Sequence, residues 1–127
     1  MKIVITGGLG YIGMFLCELY SSSADRNEVI VLDNRFLPEY VKMVRSWGIR
    51  YIEGSIMDEH LMSKILFDAD IVYHLAGITD VAYTNTQADP IKDAEIRRIG
   101  TEGSKIVINS VPQKCKIVFP SSHVVYE

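Results

Sequence analysis

Thr6-Gly7-Gly8-Leu9-Gly10-Tyr11-Ile12-Gly13 separates two kinds of periodicity in this chain. Before it stands a short apolar, β-branched run (KIVIT); after it Ile12, Phe15, Leu16 and Leu19 fall on one face at helical spacing. A strand that turns into a helix through Gly-x-x-Gly-x-x-Gly has a use for each glycine. Gly7 permits a tight turn, Gly10 lets the backbone approach a phosphate group, and Gly13 lets the helix pack closely on the strand. The helix start behind the turn offers unpaired N–H groups and partial positive charge to an anion.

Moving outward, the next apolar run, EVIVLD, ends in an acid, Asp33, twenty residues past Gly13. An acid there can accept two hydrogen bonds from the ribose hydroxyls of a dinucleotide, and its charge repels a 2′-phosphate, so NAD is favoured over NADP. Arg35 could neutralise such a phosphate and keeps NADP open as the lesser reading.

The rest of the chain repeats the alternation. Pro38 opens a helix over 40–47 that Gly48 closes, and residues 50–53 form a third strand. Asp58 is placed to cap a helix carrying Leu61, Met62, Ile65 and Leu66. A fourth strand spans 70–75, a polar loop 78–89, a long helix 91–111 opened by Pro90, and a fifth strand 116–119. Parallel strands need crossovers and continuous apolar strands need cover on both sides. The spacing therefore predicts an α/β fold: a Rossmann-type doubly wound parallel sheet in the order 3-2-1-4-5 with helices on both faces. In the long helix, Ile96, Ile99, Gly100, Gly103, Val107 and Val111 form a stripe for the sheet, with Ile91, Ile106 and Ile108 partly outside it.

With 127 residues, 48% hydrophobic and 23% charged, the composition is that of one ordinary globular domain. A net charge of −3 and no basic run longer than Arg97-Arg98 argue against a nucleic-acid surface. Cys17 and Cys115 read as buried thiols in a reducing cytosol, with no ligand cluster for a metal, which predicts a cytoplasmic location. The apolar stretch up to Leu19 superficially imitates a secretory leader, but Thr6 and four glycines interrupt it. No run of 18 apolar residues suggests a membrane span.

TGGLGYIG, VLDN, EGSIMD, HLAG, IGT in the long helix and finally VFPSSHVVYE follow in an order that resembles the N-terminal part of the extended short-chain dehydrogenase/reductase family. The resemblance is to its NAD-dependent epimerase/dehydratase branch, the UDP-glucose 4-epimerase-like enzymes. It implies a nucleotide-sugar enzyme working by transient hydride transfer to bound NAD. Residue by residue, it implies that Gly7, Gly10, Tyr11, Ile12 and Gly13 hold the pyrophosphate and that Asp33 and Asn34 hold the ribose. Ser55 and Ile56 take the adenine, Ser55 replacing the usual acid, and Leu75, Ala76 and Gly77 lie along the ribose and phosphates. Ser122 matches the catalytic hydroxyl. Arg97 stands where the family has asparagine, which reads as a solvated helix face, and His123 takes a position commonly small.

The family's acid/base pair, Tyr-x-x-x-Lys, is absent: no tyrosine of this chain has lysine four residues on. The resemblance therefore implies an NAD-binding domain over 1–127 that stops after the fifth strand, lacks the substrate domain and is inactive alone. A non-catalytic NAD(P)-binding sensor or interaction module is the alternative, with an NADP-dependent reductase as a third. The family's habit of pairing through the long helix implies a homodimer.

Overall fold

The computed structural model describes residues 1–78 and 90–121. Strands β1 (Lys2–Thr6), β2 (Glu28–Asp33), β3 (Arg50–Glu53), β4 (Ile71–His74) and β5 (Lys116–Val118) form one sheet in the order β3-β2-β1-β4-β5, every pairing parallel. This is the topology that the alternating pattern predicts. Between the strands lie α1 (Tyr11–Ser21), α2 (Pro38–Ser46), α3 (Glu59–Leu66), α4 (Pro90–Arg98) and α5 (Ser104–Ser110), the last two joined by a π-helical turn, Ile99–Gly103.

Successive side chains of a strand point to opposite faces, so β1 serves two cores at once. Val4 joins Ile30, Leu32 and Val72 beneath Met62, Ile65 and Leu66 of α3 and Val107 of α5. Ile3 and Ile5 join Val29 and Val31 beneath Cys17 of α1 and Val41 and Val44 of α2. Complete burial of each such aliphatic side chain contributes about 1.5–3 kcal/mol. Asp58 caps α3 as its position suggests, its carboxylate accepting the Leu61 N–H at 3.0 Å.

The long helix departs from the expected continuous α-helix. At the π turn Gly103 is buried against Ile56, where a Cβ would come within 2.5 Å of Ile56 Cδ1. The wider turn resets the helical phase, so Gly100 is exposed and Ile106, expected partly outside the stripe, packs on the core. Ile91 and Ile108 stand outside it, at 83% and 57% exposure. Cys17 is fully buried as read, whereas Cys115 is only half-buried, because it precedes β5, the edge strand of the sheet among the described residues. Among the described residues no helix is long and apolar enough to cross a membrane.

Candidate functional site: a cleft at the carboxyl end of the sheet

Strand order reverses at β1, whose neighbours are β2 and β4, so the crossovers diverge and leave a crevice beyond the carboxyl ends of β1 and β4. A cleft of about 540 Å³ occupies it. Its walls are Gly7 and Gly10 of the first turn, Asp33 at the end of β2 with Asn34 and Arg35 after it, Gly54, Ser55 and Ile56 after β3, residues 75–78 after β4, and Ile99 of the π turn. Most residues expected to hold a dinucleotide thus converge on one cavity: Gly7, Gly10, Asp33, Asn34, Ser55, Ile56, Leu75, Ala76 and Gly77.

Tyr11, Ile12 and Gly13 are not among the lining residues. Tyr11 is 95% exposed and Ile12 53%, leaving only their backbone at the start of α1 to serve the turn. Gly13 is buried, and a Cβ on it would lie 2.5 Å from the Gly8 backbone, so its part is close packing. Gly7 has φ +67, and a Cβ there would meet Ala76 N at 2.8 Å, which requires glycine twice over. A Cβ on Gly10 would meet only the Gly7 carbonyl, at 3.3 Å. Gly10 caps α1 with no side-chain bond and the first turn carries no acid, so the helix start is open to an anion.

Asp33 is 4% exposed and carries the densest bonding in the cleft. Its Oδ2 accepts the Leu9 N–H at 3.0 Å; its Oδ1 accepts the Arg35 N–H at 3.0 Å and the Arg35 Nε–H at 3.2 Å. The hydrogen bonds to Asp33 raise the already basic Arg35 guanidinium further. Tyr51 donates to the Arg35 carbonyl at 2.7 Å and so fixes this turn; partial burial, then the charges of Glu53 and Asp33, hold its hydroxyl above 10.0, a donor at neutral pH. The Ser55 hydroxyl is occupied locally, accepting the Met57 N–H at 3.1 Å.

Behind the cleft His74 is buried, its Nδ1 2.8 Å from the Thr6 hydroxyl and its Nε2 3.0 Å from the Ser104 hydroxyl. Burial pushes its imidazole below the ordinary 6.5. Sequence reasoning passed over this histidine, and over Gly54 and Ile99 as wall residues, although all three lie inside motifs it used. Arg97 and Arg98 are exposed, as a solvated helix face requires. Ser122, the expected catalytic hydroxyl, and His123 lie outside the described residues.

The 3-beta hydroxysteroid dehydrogenase/isomerase family matches residues 4–126 of the chain. UDP-glucose 4-epimerase of Mycoplasma genitalium is 28% identical over 127 residues, covering 98% of this chain and 37% of that protein. UDP-glucose 4-epimerase of Klebsiella pneumoniae is 32% identical over 134 residues, covering 99% of this chain and 92% of that sequence. The crystal structure of UDP-glucose 4-epimerase from Bifidobacterium longum in complex with NAD+ and UDP superposes with a TM-score of 0.79 at 25% identity, over 99% of this chain and 38% of that one. The chain spans little more than a third of the Mycoplasma and Bifidobacterium proteins. Matched from the first strand through residue 126, and folded in the sheet order that its motifs imply, the chain belongs to the 3-beta hydroxysteroid dehydrogenase/isomerase family of the extended short-chain dehydrogenases/reductases.

Proposed function

We propose that this chain is the NAD-binding part of a nucleotide-sugar epimerase or dehydratase. The observation that carries the reading is the convergence on one cleft of a glycine turn, an uncapped helix start and a buried carboxylate at the end of β2. The residues fit the cofactor: Gly7 and Gly10 take the pyrophosphate beside the start of α1, Asp33 and Asn34 take the adenosine ribose, and Ser55 and Ile56 border the adenine. Leu75, Ala76 and Gly77 lie along the ribose and phosphates. When bound, NAD supplies reversible hydride acceptance from a sugar carbon.

Ser122 is the hydroxyl assigned to hold the reacting sugar oxygen by hydrogen bonding. The sequence shows no Tyr-x-x-x-Lys, the pair that takes the sugar proton in the resembling family, and loss of such a general base lowers rates by about 10²–10⁴-fold. Cofactor binding without turnover of a nucleotide sugar is the activity assigned to this chain alone, in the cytoplasm and as a homodimer through the long helix.

The pairing of Arg35 with Asp33 supports a second reading, NADP, because the guanidinium already stands where a 2′-phosphate would need a cation. Calorimetric titration of the chain with NAD and with NADP tests both. Saturable one-site binding that is tighter for NAD supports the proposal; tighter NADP selects the second reading, and binding of neither overturns the cofactor assignment.

A further inference from the structure

A directed chain of hydrogen bonds runs behind the cleft, and of its members only Ala76 is among the cofactor contacts assigned above. The Ser104 hydroxyl lies 2.6 Å from the Gly100 carbonyl oxygen, which can only accept, so the Ser104 proton points there. With that proton committed, Ser104 Oγ can only accept from His74 Nε2, and Nε2 therefore carries the ring hydrogen. At the other end the Ala76 N–H donates to Thr6 Oγ1 at 3.2 Å, and the Thr6 hydroxyl donates to the bare Nδ1 at 2.8 Å. Every member is satisfied in one polarity only, and among the described residues no buried side-chain nitrogen or oxygen lacks a partner.

The two ends of this chain lie in different walls of the cleft. Ala76 lines it directly, and Gly100 follows Ile99, which lines it from the π turn. A second proton on the imidazole would set an Nδ1–H against the Thr6 hydroxyl hydrogen, so the Thr6 proton must turn away from the ring and the bond that joins them reverses. Among the described residues the hydrogen-bond and ring partners of His74 are Thr6 of β1, Ser104 of α5 and the Phe119 ring after β5, 5.7 Å away; none of these is charged, and burial accounts for the lowered imidazole.

We propose that His74 is a positioning residue of the cofactor cleft: its neutral Nε2–H form ties the 75–77 loop to the π turn, and protonation releases these walls and lowers affinity for NAD. This rests on the NAD reading of the cleft, which the experiment tests separately.

Long-range ¹⁵N–¹H correlation spectra of the whole chain at pH 7.5 should show His74 as the Nε2–H tautomer; an Nδ1–H tautomer or an imidazolium overturns the wiring. Calorimetric NAD titrations from pH 7.5 down to the lowest pH at which circular dichroism still shows the fold should show affinity at least fivefold weaker at the acid end, while His74→Gln stays within twofold across the range. A merely structural histidine would give parallel curves for the two proteins, and parallel curves or a flat wild-type profile overturn the proposal alone. Absence of NAD binding at pH 7.5 overturns the cofactor reading and the proposal with it. Should His74→Gln not fold, the tautomer and the wild-type pH profile still decide.

Discussion

The Asp33 carboxylate accepts the backbone N–H of Leu9 at 3.0 Å, tying the end of β2 to the middle of the glycine turn after β1. The residue assigned to the ribose therefore also holds the turn assigned to the pyrophosphate. Leu9 is 1% exposed, so an unpaired N–H there has no water to turn to. Asp33→Ala should lower unfolding stability by about 1–3 kcal/mol. Asp33→Asn keeps a carbonyl oxygen for Leu9 and should lose less, yet both variants should lose NAD affinity. Urea unfolding beside calorimetry separates the two roles; equal destabilisation would show that the Leu9 bond contributes nothing.

Two glycines with positive φ offer a controlled comparison. Gly48 has φ +75 and open space around a Cβ, so Gly48→Ala should cost only the left-handed backbone penalty of about 1–2 kcal/mol. Gly7→Ala adds a clash with Ala76 N at 2.8 Å, which is backbone and cannot turn aside. It should cost a further ~1–3 kcal/mol in the same unfolding experiment.

Stability should fall on acidification from about the ordinary histidine value of 6.5, because His74 is held below it. Between its lowered folded value and 6.5 the unfolded chain binds the proton and the folded chain does not, so the unfolding free energy rises with pH there and levels off below the folded value. Replacing His74 by Gln should reduce the slope of urea midpoint against pH across that window. An unchanged slope would place the titration elsewhere.

Thiol chemistry provides an independent check of burial. Cys17 is fully buried, and burial pushes its thiol up to about 12, so almost no thiolate exists at neutral pH. Cys115 is half-buried, with its thiol also raised, first by burial and then by Asp70. At pH 7.5 a disulfide reagent should modify Cys115 slowly and Cys17 only on unfolding. Equal rates for the two thiols in the folded chain would contradict the packing of α1.

Much of this was legible in the sequence because its causes are local. Glycine spacing, β-branched runs and the acid ending EVIVLD act within a few residues of themselves, and they gave the strand order and most of the cleft lining. The π turn was not legible, since the contact made there, Gly103 against Ile56, joins residues far apart in the chain. The bond network of His74 was hidden for the same reason: it joins Thr6, Ser104 and Ala76, which the fold alone brings together. Arg35 could be read as a cation near the ribose, but not as one already paired with Asp33 through two side-chain nitrogens.

Whether NAD occupies the cleft at the carboxyl end of the sheet is read residue by residue from amide chemical-shift mapping of the ¹⁵N-labelled chain on addition of NAD. The largest shifts should fall at Gly7, Gly10, Asp33, Asn34, Ser55 and Ala76, all at the carboxyl end of the sheet, with Met43 and Trp47 of the α1–α2 groove unmoved. Saturable shifts centred on that groove, or no shifts at millimolar NAD, would contradict it.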